Sequence, residues 1–513
     1  MKKALALVFC ALSIGSAYSQ TGVTSDSVRL SYAKRISAED VKKHVFTLAS
    51  DEYVGRYTGE KGQKKAAEYI QNHFKEFGLV GPVKTGDNPY EQGFELYKLD
   101  WGEVFVKSSK KAYGGYEDFA FFSLPELNEK TDVDCVFAGT EEDALADELD
   151  LKGKVVFVVT DKDNPREVRT VTRALNKKGV KLLVVVGSEN DELTDSMISR
   201  YRKSIMDHPR LSFKKPKPKE PGKDMGIAFA RKNMLLDVFG LSEKSLEKLM
   251  AKKERKRRKM LAKIKGHVSV KFARTIEPVQ TENVLGYLEG TDKKDELLVI
   301  SAHYDHIGVQ DGEVYNGADD NATGTTAILE LADAFAKAKK DGHGPRRSVL
   351  FISLTAEEVG LLGSKYYVSD PVFPLENTVV DLNIDMIGRR DSRYENDPNY
   401  VYLIGSDKLS KDLHNLSEKV NQRFGDLKLD YKYNDEKDPN RYYYRSDHYN
   451  FAKNDIPVIF YFNGTHADYH RASDTPDKIE CDKVAKITRL VFQTAWEIAN
   501  REERLKLDAD SAQ

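Results

Sequence analysis

The sequence is poor in the residues that mark several common classes of protein. Only three of its 513 residues are cysteines, which excludes a disulfide-stapled scaffold and a structural zinc site built from thiolates. Neither sign of charge dominates, since 80 lysine and arginine residues stand against 82 aspartate and glutamate residues. This balance excludes a globally basic nucleic-acid-binding protein and a strongly acidic tail protein. A metal ion in this chain must therefore be held by histidine, aspartate or glutamate.

Long apolar runs are also missing, apart from a short one near the N-terminus. Residues 4–17 are mostly apolar, follow two lysines, and lead into small residues suited to signal-peptidase cleavage. A membrane span needs about 18 apolar residues, and this run is shorter. We therefore predict a signal peptide over residues 1–19 that is cleaved after Ser19, no membrane span, and a secreted or periplasmic protein. In that compartment Cys135 and Cys481 could pair, although they lie far apart in the sequence.

The pattern of apolar residues changes twice beyond the predicted signal peptide. Residues 20–100 contain two predicted helices separated by a turn-rich loop. Residues 101–275 contain strand-like runs and a long charged helix predicted over 242–265. Over residues 276–505 short buried strands alternate with helices, which is typical of an α/β fold with a largely parallel sheet. The last residues, 506–513, are predicted to form a polar tail.

The predicted charged helix carries a dense basic cluster. Nine of the fourteen residues from Lys252 to Lys265 are lysine or arginine. Such a patch can bind a polyanion, but the chain as a whole is not basic and no aromatic residues interleave to stack on bases. We interpret the cluster as a solvated helix face and predict no nucleic-acid partner.

Histidine and carboxylate residues follow the predicted strands of the α/β region. A single such residue at a strand end is typical of a helix cap or of the surface. In this domain, however, five of the segments that follow predicted strands, here called exits, carry histidine or carboxylate residues. In open α/β sheets, binding sites form beyond the carboxyl ends of the strands. Imidazole nitrogens and carboxylate oxygens without thiolates suit zinc before cobalt, manganese or iron. The residues at the five exits are His303 with Asp305, Asp319 with Asp320, Glu357 with Glu358, Asp385, and His466 with His470.

Seven segments carry a recognisable pattern: LASDEYVGRYTGEKGQKKAAEYI, SAHYDHIG, NGADDNATG, TAEEVGLLGS, NIDMIGR, RSDH and YHRASDTPDKI. They resemble the co-catalytic zinc exopeptidases, which include bacterial leucyl aminopeptidases, aminopeptidase Y, glutamate carboxypeptidase and glutaminyl cyclase. The resemblance implies one α/β domain, with a central, mostly parallel mixed sheet flanked by helices, formed by residues 20–100 and 276–505. Residues 101–275 resemble the smaller β-rich protease-associated domain that such enzymes carry as an insertion. Thr140 after Gly139 and the basic helix depart from that pattern.

The resemblance also implies two zinc ions per chain and the residues that hold them. His303 and Asp385 would bind one zinc ion, and Glu358 and His470 would bind the other. Asp320 would bridge the two ions. These five ligands are more than one tetrahedral zinc ion needs.

Three further residues receive roles from the resemblance. Glu357 would be the general base, although spacing alone does not say which of Glu357 and Glu358 is the base and which is the ligand. Asp305 would orient the ring of His303. Tyr469 would donate to the oxyanion, and the alternative for this residue is a core aromatic.

The resemblance and the predicted signal peptide together imply a secreted metallo-exopeptidase, an aminopeptidase that hydrolyses N-terminal residues from peptides with a free N-terminus. A carboxypeptidase on the same scaffold stays open because Arg441 or Arg445 could bind a substrate carboxylate. A glutaminyl cyclase is disfavoured because the chain retains His303, and a non-catalytic binding protein because ligands and base are all present. Ser446 and Asp447 are predicted to line the pocket or support the ligands. The oligomeric state stays open.

Overall fold

The computed structural model describes residues 26–146, 149–162, 164, 166–202, 210–215 and 225–508. The predicted signal peptide and its cleavage site lie outside the described residues, as does most of the predicted C-terminal tail. The described chain forms two compact units: unit 1 runs up to Gln92 and again from Glu282, and unit 2 is Gly93–Thr281. The inserted domain predicted from the sequence pattern is 101–275. Both structural boundaries fall inside long strands, where the sequence offers no turn signal.

The chain begins in unit 1 with the predicted pair of helices, preceded by a short one. These are α1 (Asp26–Ala33), α2 (Ala38–Leu48) and α3 (Lys61–Phe77). The side chain of Ser37 caps α2 by accepting a hydrogen bond from the backbone N–H of Asp40. Gly78 ends α3 at φ +84°, a left-handed conformation that glycine adopts without strain. Ala66, Ile70 and Phe74 are fully buried, which confirms the predicted apolar face of α3.

Unit 2 contains the strand-like runs that the sequence predicts. Its strands are β1 (Glu91–Lys107, from its third residue), β2 (Ala112–Gly114), β3 (Phe119–Ser123), β4 (Leu127–Thr140), β5 (Val155–Thr160), β6 (Leu182–Gly187), β7 (Arg210–Ser212), β8 (Gly226–Ala230) and most of β9 (Lys265–Leu288). Its helices are α4 (Glu141–Leu145), α5 (Arg169–Lys177), α6 (Glu192–Arg202), α7 (Lys232–Phe239), α8 (Glu243–Met250) and α9 (Glu254–Leu261). Strands β4, β5, β6 and β8 are parallel neighbours, flanked by antiparallel β9 and β3.

The single long helix predicted over 242–265 is wrong, because the structure divides this segment into α8 and α9 and begins β9 at Lys265. The guanidinium of Arg257 turns back and donates to the carbonyls of Met250 and Lys252, at 3.3 and 3.0 Å. This side chain therefore satisfies backbone groups that the end of α8 leaves without intrahelical partners. Arg257 and Arg258 also form ion pairs with buried Asp143, so part of the basic cluster is structural.

The chain then returns to unit 1, where strands and helices alternate. The strands are β10 (Lys293–His303), β11 (Gly308–Gln310), β12 (Glu313–Tyr315), β13 (Arg347–Leu354), β14 (Thr378–Ile384), β15 (Tyr400–Ile404), β16 (Lys428–Asp430) and β17 (Val458–Phe462). The helices are α10 (Gly324–Lys340), α11 (Leu362–Ser369), α12 (Lys411–Val420), α13 (His448–Ala452) and α14 (Cys481–Asn500).

The main sheet of unit 1 has the strand order β16-β15-β17-β14-β10-β13-β9. Strands β17, β14, β10 and β13 run parallel at its centre, whereas β9 and β15 pair antiparallel with their neighbours. One face packs on α2, α3, α10 and α14. The other face packs on α11 and α13. This arrangement confirms the predicted α/β fold with a mostly parallel mixed sheet between helices.

The register of the central strands brings their carboxyl ends to the same edge. His303, the last residue of β10, lies beside Leu354, the last residue of β13. Ser301 of β10 pairs with Asn383 of β14, so Asp385 follows at the same level. The residues at the predicted exits therefore converge at one place, as open parallel sheets require.

The described helices and the two described cysteines bear on membrane spanning and on disulfide formation. None of the helices within the described ranges is long and apolar enough to cross a membrane. In the same ranges Cys135 is buried and Cys481 is partly buried, and both are free thiols. The structure therefore contains no disulfide between these two described cysteines.

Candidate metal centre

Three of the predicted ligands meet at the end of β10 and β14. The Nε2 atom of His303 lies 3.3 Å from Asp320 Oδ1 and 3.4 Å from Asp385 Oδ1. Two ligands bonded to one tetrahedral zinc ion at 2.0–2.1 Å stand about 3.3 Å from each other. Both distances from His303 Nε2 therefore match the spacing of ligands around one zinc ion.

A second group forms on the other side of Asp320. The Nε2 atom of His470 lies 3.1 Å from Asp320 Oδ2 and 3.1 Å from Glu358 Oε2. The two oxygens of Asp320 thus face different groups of atoms, Oδ1 toward His303 and Oδ2 toward His470. This is the geometry that a bridging carboxylate between two metal ions requires.

The chemistry of the two groups fits a divalent cation. His303 Nε2 and Asp385 Oδ1 are buried and have no hydrogen-bond partner in the described part of the chain. Burial opposes the charged imidazolium of His303, but the carboxylates of Asp385 and Glu357 raise its pKa well above the usual value. Burial likewise lowers the pKa of His470, yet Glu358 and Asp320 raise it to about 11. The carboxylates therefore create a strong negative potential around buried nitrogen and oxygen atoms that face each other. Bound zinc would neutralise that potential.

Glu357 and Glu358 follow the same strand but face different groups. Glu358 Oε2 reaches His470, whereas Glu357 Oε2 lies 4.0 Å from His303 Nε2 and borders a pocket beside Asp320 and Asp385. Burial, together with the charges of Glu358 and Asp385, raises the pKa of Glu357 well above its usual value. Its position at the pocket, beside the proposed ligands Asp320 and Asp385, suits a group that accepts a proton from water.

Asp305 supports both His303 and Glu357, but with different atoms. The Nδ1 atom of His303 lies 3.2 Å from the backbone carbonyl oxygen of Asp305 and 3.8 Å from its Oδ1. The Asp305 carboxylate instead accepts the backbone N–H of Glu357 at 3.1 Å and the hydroxyl of Thr58 at 3.0 Å. The predicted support of His303 therefore comes from the main chain of Asp305, while its side chain fixes the Glu357 loop.

Tyr469 lies at the pocket rather than in the core. Its ring stacks on the ring of His470 with centroids 3.9 Å apart, and Arg445 Nη2 donates to its hydroxyl at 3.1 Å. Burial and the negative charges of Asp320 and Glu358 raise the pKa of Tyr469. The hydroxyl therefore keeps its proton and can donate it in a hydrogen bond. The remaining pocket wall is largely aromatic or apolar and contains Met386, Tyr442, Phe460, Phe462 and Thr465.

The other residues singled out in the sequence support the ligands or lie apart from them. Ser446 donates to Asp385 Oδ2 at 2.7 Å, and Asp447 is buried and accepts from Ser364. His466 Nε2 lies 3.2 Å from Asp319 Oδ2, so these two exit residues pair with each other. Arg441 does not line the pocket, and its guanidinium lies over the ring of Tyr444.

Sequence reasoning missed Arg56, which is 1% exposed and lies beneath the loops that carry the ligands. Its guanidinium donates to four backbone carbonyl oxygens at 2.6–2.9 Å, those of Leu48, Tyr304, Asn316 and Gly317. The carbonyl of Leu48 belongs to α2, that of Tyr304 lies just before His306, and those of Asn316 and Gly317 lie just before the Asp319–Asp320 turn. A lone arginine in a loop carries no sequence signal for such a role, because its partners are main-chain atoms far away in the chain.

Arg56→Met should destabilise the protein by roughly 3–5 kcal/mol, because it leaves several buried carbonyls without donors. Urea unfolding followed by circular dichroism measures the free energy of unfolding. Arg35→Met is the matched control, since Arg35 forms an exposed ion pair with Asp333 that contributes at most about 1 kcal/mol. Equal losses in the two variants would contradict the role assigned to Arg56.

Comparisons with known proteins agree with this geometry. Residues 283–495 match the sequence profile of Peptidase family M28. A "Probable zinc metalloprotease" of Pyricularia oryzae is 28% identical over 283 residues, 47% of this chain and 54% of its own length. A "Probable glutamate carboxypeptidase" of Arthroderma benhamiae is 36% identical over 105 residues, 20% of this chain and 14% of its own length. The chain thus spans about half or less of these relatives.

The fold also matches a solved structure over most of its length. The aminopeptidase from Aneurinibacillus sp. strain AM-1 superposes with a TM-score of 0.52 at 20% identity, covering 94% of this chain and 98% of that one. At this identity the likeness concerns the fold. Together with the family profile, it agrees with the motifs read from the sequence. Residues 283–495 are thus similar to Peptidase family M28, and the predicted resemblance to zinc exopeptidases is confirmed.

Proposed function

We propose that this protein is a secreted zinc aminopeptidase that removes N-terminal residues from peptides and binds two zinc ions per chain. The observation that carries the proposal is the pair of ligand groups that share Asp320, with His303 and Asp385 on one side and Glu358 and His470 on the other. No single tetrahedral zinc ion accommodates both groups. Zinc is the metal that this histidine and carboxylate set favours.

The residues around the two groups supply the remaining parts of a hydrolysis. The chemistry that zinc supplies in such a site is Lewis-acid polarisation of the scissile carbonyl and a lowered pKa for water. Glu357 takes a proton from the attacking water and passes it to the leaving amine. The hydroxyl of Tyr469 donates to the oxyanion that develops on the carbonyl oxygen when water adds to the carbonyl carbon. The Asp305 carboxylate accepts the backbone N–H of Glu357 and so keeps Glu357 in place.

The preference for a substrate with a free α-amine rests on the resemblance to the bacterial leucyl aminopeptidases, since bound zinc would neutralise much of the carboxylate charge of the site. The aromatic wall of the pocket suits an apolar side chain next to that amine.

Arg445 is the observation that favours the second candidate, a carboxypeptidase. It lines the pocket, lies over the ring of Tyr442 at 5.0 Å, and donates to Tyr469. A guanidinium in this position could instead bind a substrate carboxylate. Because Arg445 already contacts two tyrosines, we place it in support of Tyr469 and keep the aminopeptidase as the proposed function.

The test uses protein purified from the exported fraction, whose first residue should be Gln20 if the signal peptide is removed as proposed. We expect cleavage of aminoacyl and dipeptide substrates with a free amine, little cleavage of their N-acetylated forms, and two zinc ions per chain by metal analysis. Chelation should abolish activity, and zinc or cobalt should restore it. Equal cleavage of acetylated substrates, or release of residues from the C-terminus, would overturn the aminopeptidase. One zinc ion or none would overturn the dinuclear site.

Unit 2 carries none of the proposed ligands, base or pocket residues. Its assignment as a protease-associated domain stays a prediction, as does the absence of a nucleic-acid partner.

A further inference from the structure

His306 is a buried histidine beside the second ligand group to which the proposed reaction gives no role. Its side chain is fully buried, and its Nδ1 atom lies 2.6 Å from Glu358 Oε1. Its ring approaches the ring of His470 edge-on, with centroids 6.0 Å apart. His306 therefore contacts one oxygen of Glu358 while His470 lies near the other oxygen.

The distances separate a hydrogen-bonding partner from a metal ligand. His470 Nε2 stands 3.1 Å from both Glu358 Oε2 and Asp320 Oδ2, which is close to the spacing of two ligands on one zinc ion. The 2.6 Å between His306 Nδ1 and Glu358 Oε1 is a charge-assisted hydrogen-bond length instead. His306 Nδ1 also lies 4.0 Å from Asp320 Oδ2, farther than His470 does. Ligand atoms of His306, Asp320 and Glu358 lie within 4.8 Å of one another, but 2.6 Å is too short for two ligands of one tetrahedral zinc ion, so His306 suits support of Glu358 better than ligation.

The local fold holds the ring of His306 in this position. The backbone N–H of His306 donates to the carbonyl of Arg56 at 3.2 Å. Gly317, at φ +55°, leaves the space that the ring occupies, since a Cβ atom there would lie 2.4 Å from ring atoms of His306. A side chain at position 317 would displace the imidazole, so glycine at this position and the buried ring are coupled.

We propose that His306 is a positioning residue whose Nδ1–H donates to Glu358 Oε1 and thereby directs Glu358 Oε2 toward the zinc ion bound with His470. This inference rests on the proposed dinuclear function. Partners that hold a ligand from outside the metal's own shell are worth about 10–100-fold in metal affinity. The zinc ion of the His303 and Asp385 group should be indifferent to His306.

The experiment compares His306→Asn with His306→Leu. The two replacements have nearly the same shape. Only asparagine keeps a hydrogen-bond donor, because its amide nitrogen is bonded to Cγ as Nδ1 of histidine is. Zinc affinity is measured on both full-length variants and on the parent protein by competition with a chromophoric chelator, after circular dichroism has established that each is folded. His44→Leu is the control for loss of a largely buried imidazole, since His44 contacts the hydroxyl of Tyr69 instead of a proposed ligand.

We expect His306→Leu to weaken one zinc ion by about 10–100-fold and to leave the other unchanged. His306→Asn should restore most of that affinity, and His44→Leu should match the parent protein. Equal zinc affinities in the asparagine and leucine variants, or equal weakening of both zinc ions, would overturn the role of His306 alone. A parent protein that binds fewer than two zinc ions would overturn the dinuclear function on which it rests.

Discussion

Replacing Glu357 with glutamine should lower kcat by about 10²–10⁴ while both zinc ions stay bound. Glutamine keeps the size and the hydrogen-bonding capacity of the side chain, but it does not accept the proton of the attacking water. The five proposed ligands do not include Glu357, whose Oε2 lies 4.0 Å from His303 Nε2. Metal analysis and turnover of an aminoacyl substrate, measured on the same preparation, test both parts of this expectation.

Glu358→Gln is the matched comparison, because it alters the next residue of the same loop by the same chemical change. It replaces an anionic oxygen 3.1 Å from His470 Nε2, so the zinc ion of that group should weaken or leave. Added zinc should then recover part of the activity, which it should not do for the Glu357 variant. If zinc is lost from the Glu357 variant and fully retained in the Glu358 variant, the two roles are reversed.

The α/β fold could be predicted because local pattern and global structure agree in unit 1. Helix α10 has its apolar residues at helical spacing, and Ile328, Leu331 and Phe335 are buried as that spacing requires. The central strands are short, continuous apolar runs, which is typical of parallel strands covered on both faces. Residues that follow such strands must meet at one edge, so the convergence of the exits follows from topology.

The prediction of one helix over 242–265 failed because a run of like charges gives no sign of the break between α8 and α9. A run of lysines and arginines is compatible with helix, and nothing local shows that Arg257 folds back onto the carbonyls at the end of α8. The boundaries of the two compact units lie inside strands β1 and β9, so the change of unit coincides with no turn residue.

The spacing of residues along the sequence does not show which carboxylate is the proposed base and which is the proposed ligand. Adjacent Glu357 and Glu358 differ only in the direction in which each side chain points, and the turn before them sets that direction. Ala356 adopts φ +58°, a left-handed conformation that is uncommon for alanine. The roles of Arg56 and His306 could not be predicted from the sequence for a second reason. Both depend on contacts with residues far away in the chain, which no pattern in a single sequence records.

Asp320→Ala should remove both zinc ions and lower kcat/KM by more than about 10³, because the loss of one side chain takes a ligand from each metal. Its Oδ1 lies 3.3 Å from His303 Nε2 and its Oδ2 lies 3.1 Å from His470 Nε2, so neither group is complete without it. Asp320→Asn retains one oxygen and places an amide nitrogen, a poor ligand, where the other oxygen stood. We expect this variant to keep one zinc ion better than the other.

Asp333→Ala is the control for the Asp320 variants, since Asp333 lies near the middle of α10 and pairs with Arg35 at the surface. Zinc content after dialysis and zinc affinity by chelator competition are measured on each variant, together with thermal unfolding without metal. A bridging Asp320 predicts that the alanine variant folds but holds neither ion, that the asparagine variant is intermediate, and that the control resembles the parent protein. Retention of both zinc ions at parental affinity in the alanine variant would show that the two groups do not share this carboxylate, because the remaining ligands would then suffice for each metal independently.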